Sequence, residues 1–385
     1  MRREPSPVRP DFAEQAEKIG FAFAYDDGEK YWDESVRYVF SRREIEDDLE
    51  KAAAELAGLC HELMRRIMVT ERMMARLGVP DHARDVIAES WRRRDPTLYG
   101  RFDLAYDGRS APKLLEFNAD TPTSLFESSV VQWFWLEQLI ASGDLPKDAD
   151  QFNSLHEKLI ARLMRVGGGH FLHLACMRDS VEDSGTTAYL EECARQAGLQ
   201  TRLIDMRDIG LKRGRGFVDR LGRDIGLMFK LYPWEWMFDE TFGRAPEMGD
   251  ARFIEPAWKM LLSNKGMLAL AWEMAPGHPN LLPCFFEDDK RAAELGACYA
   301  RKPLFSREGG NVELHDGAQV VTGPDLAYGG RFVRQALNPL PAFDGHYPVC
   351  GCWLVGDEPA GLGIREDVSP VTSNRSRFIP HRIED

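Results

Sequence analysis

RFDLAYDGRSAPKLLEFNADTPTSLFESS, running from Arg101 to Ser129, is the stretch on which the reading of this chain turns. Two alternating runs, residues 101–106 and 113–118, flank the turn-rich Asp107-Gly108-Arg109-Ser110-Ala111-Pro112. That pattern predicts a β-hairpin. Alternation places Phe102, Leu104 and Tyr106 on one face and Arg101 and Asp103 on the other. On the second strand Leu115 and Phe117 take the apolar face, and Glu116 and Asn118 the polar one. With Tyr106 opposite Lys113, Asp103 faces Glu116 and Arg101 faces Asn118. Directly paired residues point the same way, so two carboxylates, an amide and a guanidinium converge on one patch. Like charges placed opposite each other destabilise a sheet, and a divalent metal is the usual compensation. Hard oxygen ligands suit Mg²⁺ held together with phosphates. Arg101 beside it could hold a phosphate or a developing oxyanion. For an isolated hairpin, a merely solvated polar face is the plainer alternative. The sequel favours a site: Ala119-Asp120-Thr121-Pro122-Thr123-Ser124 is dense in hydroxyls and leads into an apolar, helix-like run over residues 129–140.

The composition is that of an ordinary globular chain. It has 385 residues, 44 % hydrophobic, with a net charge of −13, enough for two or three subdomains around a large core. Its acidity and the lack of basic clusters interleaved with aromatics argue against nucleic acid. A cationic substrate such as a polyamine suits the charge, though only weakly. No apolar run is long enough to span a membrane. The start, MRREPSPVRPDF, carries no apolar leader segment. Seven cysteines without a CxxC pair predict reduced thiols, no zinc and a cytoplasmic location.

Taken in order, residues 1–11 read as a frayed arm. Ser41-Arg42-Arg43-Glu44 is a capping box ahead of a helix over 44–77, and a second helix covers 83–94. A helix over 152–166 leads to a buried strand at 171–176, where His173 reads as a core histidine. The acidic Ser180-Val181-Glu182-Asp183-Ser184-Gly185 comes next, then a helix over 189–197 and a strand over 201–205. Such an order predicts a parallel unit with the acidic loop at the ligand-binding end of the strand. Glu182 and Asp183 could face a ligand, or form a helix N-cap cluster with Asp183 or Ser184 as the cap. Residues 217–221 and 225–229 read as a hairpin. A helical pattern over 258–274 is interrupted by Ser263-Asn264-Lys265-Gly266. A strand at 299–304 enters the glycine loop Phe305-Ser306-Arg307-Glu308-Gly309-Gly310, which leaves along 311–314. Glycines there let backbone N–H groups approach phosphate. Strands at 349–354 and 361–365 close the pattern.

RFD…LLEFNADTPTSLFESSVVQWFWLE resembles the glutathionylspermidine synthase family, in its ATP-grasp synthetase domain. KLYPWEW at 230–236, SNKG at 263–266, RKPLFSREGGNV at 301–312 and GIRED…SRFIPH at 363–381 match in the family's order, from about residue 12 to the end. The resemblance implies an α/β (α+β) ATP-grasp fold with an antiparallel nucleotide-binding sheet and an additional α/β subdomain. The chain would be one unit, 1–385, with subdomains near 12–150, 151–230 and 231–385. It implies an ATP- and Mg²⁺-dependent ligase joining a peptide carboxylate such as glutathione to an amine such as spermidine through an acyl phosphate. ATP and two Mg²⁺ are the implied cofactors, small molecules the partners, and a homodimer is possible. Asp103, Glu116 and Asn118 would hold the metals, and Arg101 the transferred phosphoryl group. Lys265 and Lys302 would grip ATP, Ser306, Gly309 and Gly310 would form its flap, and Gln335 would hold the adenine. Thr121 and Ser124 fall where the family touches glutathione, Glu182 and Asp183 where it binds the polyamine, and Trp234 and Glu235 near the thiol-peptide pocket. Arg365, Glu366 and Asp367 would line the active site. Bifunctional members have Ser and Cys in place of Thr121 and Ser124. They also carry an amidase domain, for which the stretch before Arg101 is too short, so no hydrolase activity is expected. A ligase for another acid and amine, such as a peptide or cell-envelope precursor, stays open. So does a nucleotide- or polyamine-binding regulator without turnover.

Overall fold

The computed structural model describes residues 1–26 and 28–384. It has a mixed α/β architecture built on three larger sheets. The hairpin strands Tyr99–Ala105 and Lys113–Asn118 form one edge of an antiparallel sheet that continues through Tyr347–Val355, Glu358–Asp367 and Arg377–Ile379. A second antiparallel sheet runs in the order Cys284–Phe286, Phe332–Ala336, Cys298–Pro303, Glu313–Asp316, Val320–Thr322. The third is parallel: Arg252–Ile254, Leu227–Leu231, Leu172–Cys176 and Thr201–Asp205. Its inner strands are buried along their whole length, as parallel strands covered on both faces must be.

The hairpin keeps the expected polar pairs, Arg101 with Asn118 and Asp103 with Glu116. Beyond them the register shifts, and Ala105 rather than Tyr106 lies opposite Lys113. A bulge inserts one residue and reverses the faces of the residues beyond it. Leu114, not Leu115, therefore joins Leu104 in the core, and Leu115 turns to a cavity between the two antiparallel sheets.

Both arms of the capping box form: the Ser41 N–H donates to Glu44 Oε2 at 2.8 Å, and the Glu44 N–H to Ser41 Oγ at 3.3 Å. The helix behind it is not continuous to residue 77. It opens as a π-helical turn, Glu44–Glu50, continues as Lys51–Met68, and breaks at Val69-Thr70 before Glu71–Arg76. Residues 1–11 are not a frayed arm. Arg2–Pro5 pairs with Val36–Ser41, to which His381–Glu384 adds in parallel, and Arg9 forms a buried ion pair with Glu34 at 2.7 Å. The expected hairpin at 217–229 forms only at its tip: Val218 bridges Asp224 in antiparallel pairing, with the Ile225 N–H donating to the Phe217 carbonyl and the Asp219 N–H to the Arg223 carbonyl, both at 2.9 Å. Leu227–Leu231 leaves it for the parallel sheet, because a run apolar but for Lys230 is buried better between two neighbours than at an edge. The boundary expected at 230/231 thus cuts a strand, and the parallel unit extends through Ile254. All seven cysteines are free thiols. Among the described residues no helix is long and apolar enough to cross a membrane.

Candidate active site

Arg101 and Asp103 are buried on the polar face of the hairpin. The Arg101 fork closes on Asp103, Nε to Oδ1 at 2.6 Å and Nη2 to Oδ2 at 3.0 Å, while Nη1 donates to the Thr123 carbonyl at 2.5 Å. Arg365 Nη2 reaches the same Asp103 Oδ2 at 2.9 Å. Asn118 Nδ2 bridges Asp103 at 3.3 Å and Glu116 at 3.1 Å. Lys265 Nζ lies 3.0 Å from Glu116 and donates to the Ser306 carbonyl at 2.9 Å. The like charges of the facing carboxylates are therefore compensated within the protein, by Arg101, Arg365 and Lys265. Burial alone would push the Glu116 carboxyl up, but Lys265 and Lys302 hold it well below the usual range. Burial lowers Lys302 to about 8, against the attraction of Glu116.

Lys302 projects from its strand between the two antiparallel sheets. Its Nζ donates to the Leu115 carbonyl at 2.9 Å and to Gln335 Oε1 at 2.8 Å. The Gln335 amide in turn donates to the Leu114 carbonyl at 2.9 Å. Gln335 thus holds the lysine and the bulged strand, and its side chain is occupied before any base arrives. These groups form the floor of a cavity of about 400 Å³ with apolar walls that include Leu282, Val312, Leu337 and Val371.

The glycine loop folds over one end of this cavity. Glu308, Gly309 and Asn311 all have positive φ. A Cβ on Gly309 would lie 2.2 Å from the Thr372 carbonyl oxygen, so glycine is what lets the two loops meet. The Gly310 N–H donates to the Arg307 carbonyl at 2.8 Å, which leaves Gly309 as the glycine lining the cavity. Ser306 contributes its carbonyl to Lys265, and its buried hydroxyl has no partner.

Arg307 is a residue the sequence reading passed over. Its Nη1 donates to Thr121 Oγ1 at 2.6 Å and its Nη2 to Glu235 Oε1 at 3.0 Å. The available signal was a long cation set among glycines, where a surface side chain would be free to wander. Ser124 is buried at φ 69°, 3.4 Å from the Tyr31 hydroxyl. That hydroxyl donates to Glu127 Oε1 at 2.6 Å. Glu127 has no exposed surface, and its other oxygen has no partner. It too was missed, because it sits in a helical run with nothing to mark it. Glu182 contacts Thr123 and lies close enough to Glu127 to feel its charge. Burial pushes Glu127 up to about 7. Burial, then Glu127 and Asp183, pushes Glu182 up to about 8, and burial raises Asp183 to about 6. The cap of the helix Val181–Gln196 is Ser180, whose hydroxyl accepts from the Asp183 N–H at 3.2 Å. Neither acidic side chain is needed to cap it.

Three expected positions lie elsewhere. Trp234 is 1 % exposed, stacks on Phe238 at 5.2 Å and donates from Nε1 to the Glu255 carbonyl. It is a core residue, whereas Trp236, 42 % exposed, faces Arg307. Asp367 is occupied by the Ser369 N–H and the Ser376 hydroxyl, and shapes the loop carrying Val371 and Thr372. Glu366 is buried under Arg3 and Tyr38.

The glutathionylspermidine synthase preATP-grasp model matches residues 3–384. The chain belongs to that family. It is 40 % identical to a putative acid–amine ligase of Haemophilus influenzae, over 97 % of each chain. It is 29 % identical to a trypanothione synthetase of Crithidia fasciculata, over 80 % of this chain and 50 % of that one. The match to the bifunctional glutathionylspermidine synthetase/amidase of Escherichia coli is 25 %, over 93 % of this chain and 61 % of that one. Among solved structures, a glutathione synthetase-like effector of Globodera pallida superposes with a TM-score of 0.59 at 10 % identity, covering 98 % of both chains. That likeness is one of fold alone.

Proposed function

We propose that this member of the family binds Mg²⁺-ATP between its two antiparallel sheets, as an ATP-grasp ligase, and joins a carboxylic acid to an amine. The chain is an enzyme of the carbon–nitrogen ligase class. The observation that carries the reading is the cavity itself: an apolar-walled slot of about 400 Å³ whose floor bears Lys265, Lys302, Asp103 and Glu116. Two carboxylates are hard donors that fit Mg²⁺ together with phosphate oxygens, and Asn118, which here turns its Nδ2 to both of them, would add its amide oxygen by a flip of the amide. Among the described residues no group of three His, Cys, Asp or Glu side chains is set to hold a metal, so phosphates and water would have to complete the coordination. Bound there, Mg²⁺ screens the phosphates and polarises the one to be transferred.

Lys302 and Lys265 grip the phosphates, and the loop around Gly309 closes over them. Arg101 and Arg365 hold charge on the transferred phosphoryl group and on the oxyanion that forms when the amine attacks the acyl phosphate. Thr121, Ser124 and Arg307 orient the acid. Glu127, Glu182 and Asp183 form an acidic pocket near Arg101, which an ammonium-bearing amine would suit by drawing their protons off. A peptide acid such as glutathione and a polyamine such as spermidine fit these two pockets and are the first pair to try.

Melting curves with and without Mg²⁺-ADP, and phosphate release across acid and amine panels, test the reading. Lys302→Ala should abolish most of the nucleotide shift. A wild type that shows no shift, or a variant that keeps all of it, removes the nucleotide assignment.

A further inference from the structure

The interrupted helix at Ser263-Asn264-Lys265 makes a different kind of contact at each residue. Lys265 Nζ reaches Glu116 on the hairpin and the Ser306 carbonyl in the flap, and its N–H donates to the Leu304 carbonyl at 2.8 Å. Asn264 Nδ2 donates to the Leu77 carbonyl at 2.7 Å, and its Oδ1 accepts the Gly266 N–H at 2.8 Å. Ser263 Oγ accepts two consecutive backbone N–H groups, from Ala119 at 3.0 Å and Asp120 at 2.8 Å. Those two peptides are the bend by which the metal hairpin becomes the loop carrying Thr121 and Ser124.

A hydroxyl oxygen has two acceptor lone pairs, and both are used here. Consecutive N–H groups converge on one atom only where the chain curves around it, so the hydroxyl sets the direction in which the chain leaves the hairpin. Asp120 is held from the opposite side, by Lys230 and by the Trp234 N–H at 3.0 Å. Further along, the Thr123 carbonyl receives Arg101 Nη1. A contact path thus runs from Lys265 along the backbone to Ser263, across to residues 119–123, and on to Arg101.

We propose that Ser263 is a positioning residue that couples the nucleotide-gripping lysine to the acid-substrate loop. It touches neither substrate. Its hydroxyl holds the 119–124 backbone in the curve that presents Thr121, Ser124 and the Thr123 carbonyl. Occupancy at Lys265 and Glu116 stiffens Ser263, and through it the loop. The coupling arm rests on the nucleotide reading above; the positioning arm does not.

The test is hydrogen–deuterium exchange of the full chain, read on peptides spanning residues 119–124, with and without Mg²⁺-ADP, alongside melting curves. Ser263→Ala orphans two N–H groups. Exchange there should rise about tenfold or more, the order expected when buried hydrogen bonds are lost, while peptides of the parallel sheet stay unchanged. Mg²⁺-ADP should slow this exchange in the wild type. In Ser263→Ala it should still raise the melting temperature yet no longer slow the loop. Ser263→Thr keeps the oxygen and should restore both behaviours. Unchanged loop exchange in Ser263→Ala overturns the proposal, as does a loop that still stiffens with nucleotide. If Mg²⁺-ADP does not shift even the wild type, the nucleotide reading fails on its own. The local rise in exchange and its rescue by threonine then decide whether Ser263 positions the loop.

Discussion

Two residue-scale features carry testable consequences. The first is Lys230, which has no exposed surface and whose ammonium group pairs with Asp120, with the Trp234 ring 4.9 Å away. Lys230→Met would leave a buried carboxylate without its cation, at a cost of about 3–5 kcal/mol. Lys230→Met combined with Asp120→Asn should recover part of that loss; urea denaturation of both variants measures it. The second is the carboxyl trio around Tyr31. Glu182 titrates near 8 and Glu127 near 7 in the folded chain, against about 4.3 for an unfolded glutamate. Between these values the folded state binds more protons than the unfolded one, so this contribution to stability is full at acid pH and is lost as pH rises toward 8. Glu182→Gln removes it, and the difference in stability, variant minus wild type, should grow from about pH 5 to about pH 8. Spermidine, used as a probe, should bind more tightly over the same rise, because ammonium groups need ionised partners. Parallel stability curves for the two proteins would show that Glu182 ionises normally. Alternation around Asp103 made the clustering of Arg101, Asp103, Glu116 and Asn118 readable in the sequence. Glu127 was not readable, because a buried charge in a helix looks locally like any other glutamate.

Among elements, the flap depends on the closest approach of two loops. Gly309 has φ 67° and almost touches the Thr372 carbonyl. Gly309→Ala meets both strain and a backbone clash, and should cost about 1–3 kcal/mol and weaken Mg²⁺-ADP binding. Gly329→Ala in the following turn has nothing within 4 Å and should change stability by no more than about 0.5 kcal/mol. Melting curves of the pair separate packing from a general effect of losing glycine. The glycine loop, the capping box and the broken helix at Ser263 were visible as sequence punctuation. The bulge at Leu115 was not. An inserted residue leaves the local alternation looking regular, and only the partner strand shows which face each side chain takes.

At the scale of the molecule, the site is an electrostatic balance drawn from distant parts of the chain. The Glu116–Lys265 contact spans the hairpin and the interrupted helix, and the Asp103–Arg365 contact the hairpin and the last long strand. From the sequence, Glu116→Gln would relieve repulsion with Asp103. With Lys265 and Lys302 beside that carboxylate, the sign reverses. The substitution leaves two partly desolvated lysines facing each other, and the protein without nucleotide should lose about 1 kcal/mol. The same variant should lose most of its Mg²⁺-ADP stabilisation and its turnover; paired melting curves and phosphate release check both. By itself the sequence determined the two strands of the hairpin, the strand entering the glycine loop, the pairing of Asp103 with Glu116 and of Arg101 with Asn118, and the family. Period-2 alternation, glycine punctuation and motif order are local properties and survive without a fold. Tertiary structure alone decided that Trp234 turns into the core, that Arg307 and Glu127 join the site, and that cations rather than repulsion surround Glu116. Those outcomes depend on burial and on charges brought together by chain closure, and such long-range contacts leave no periodic trace in the residues that make them.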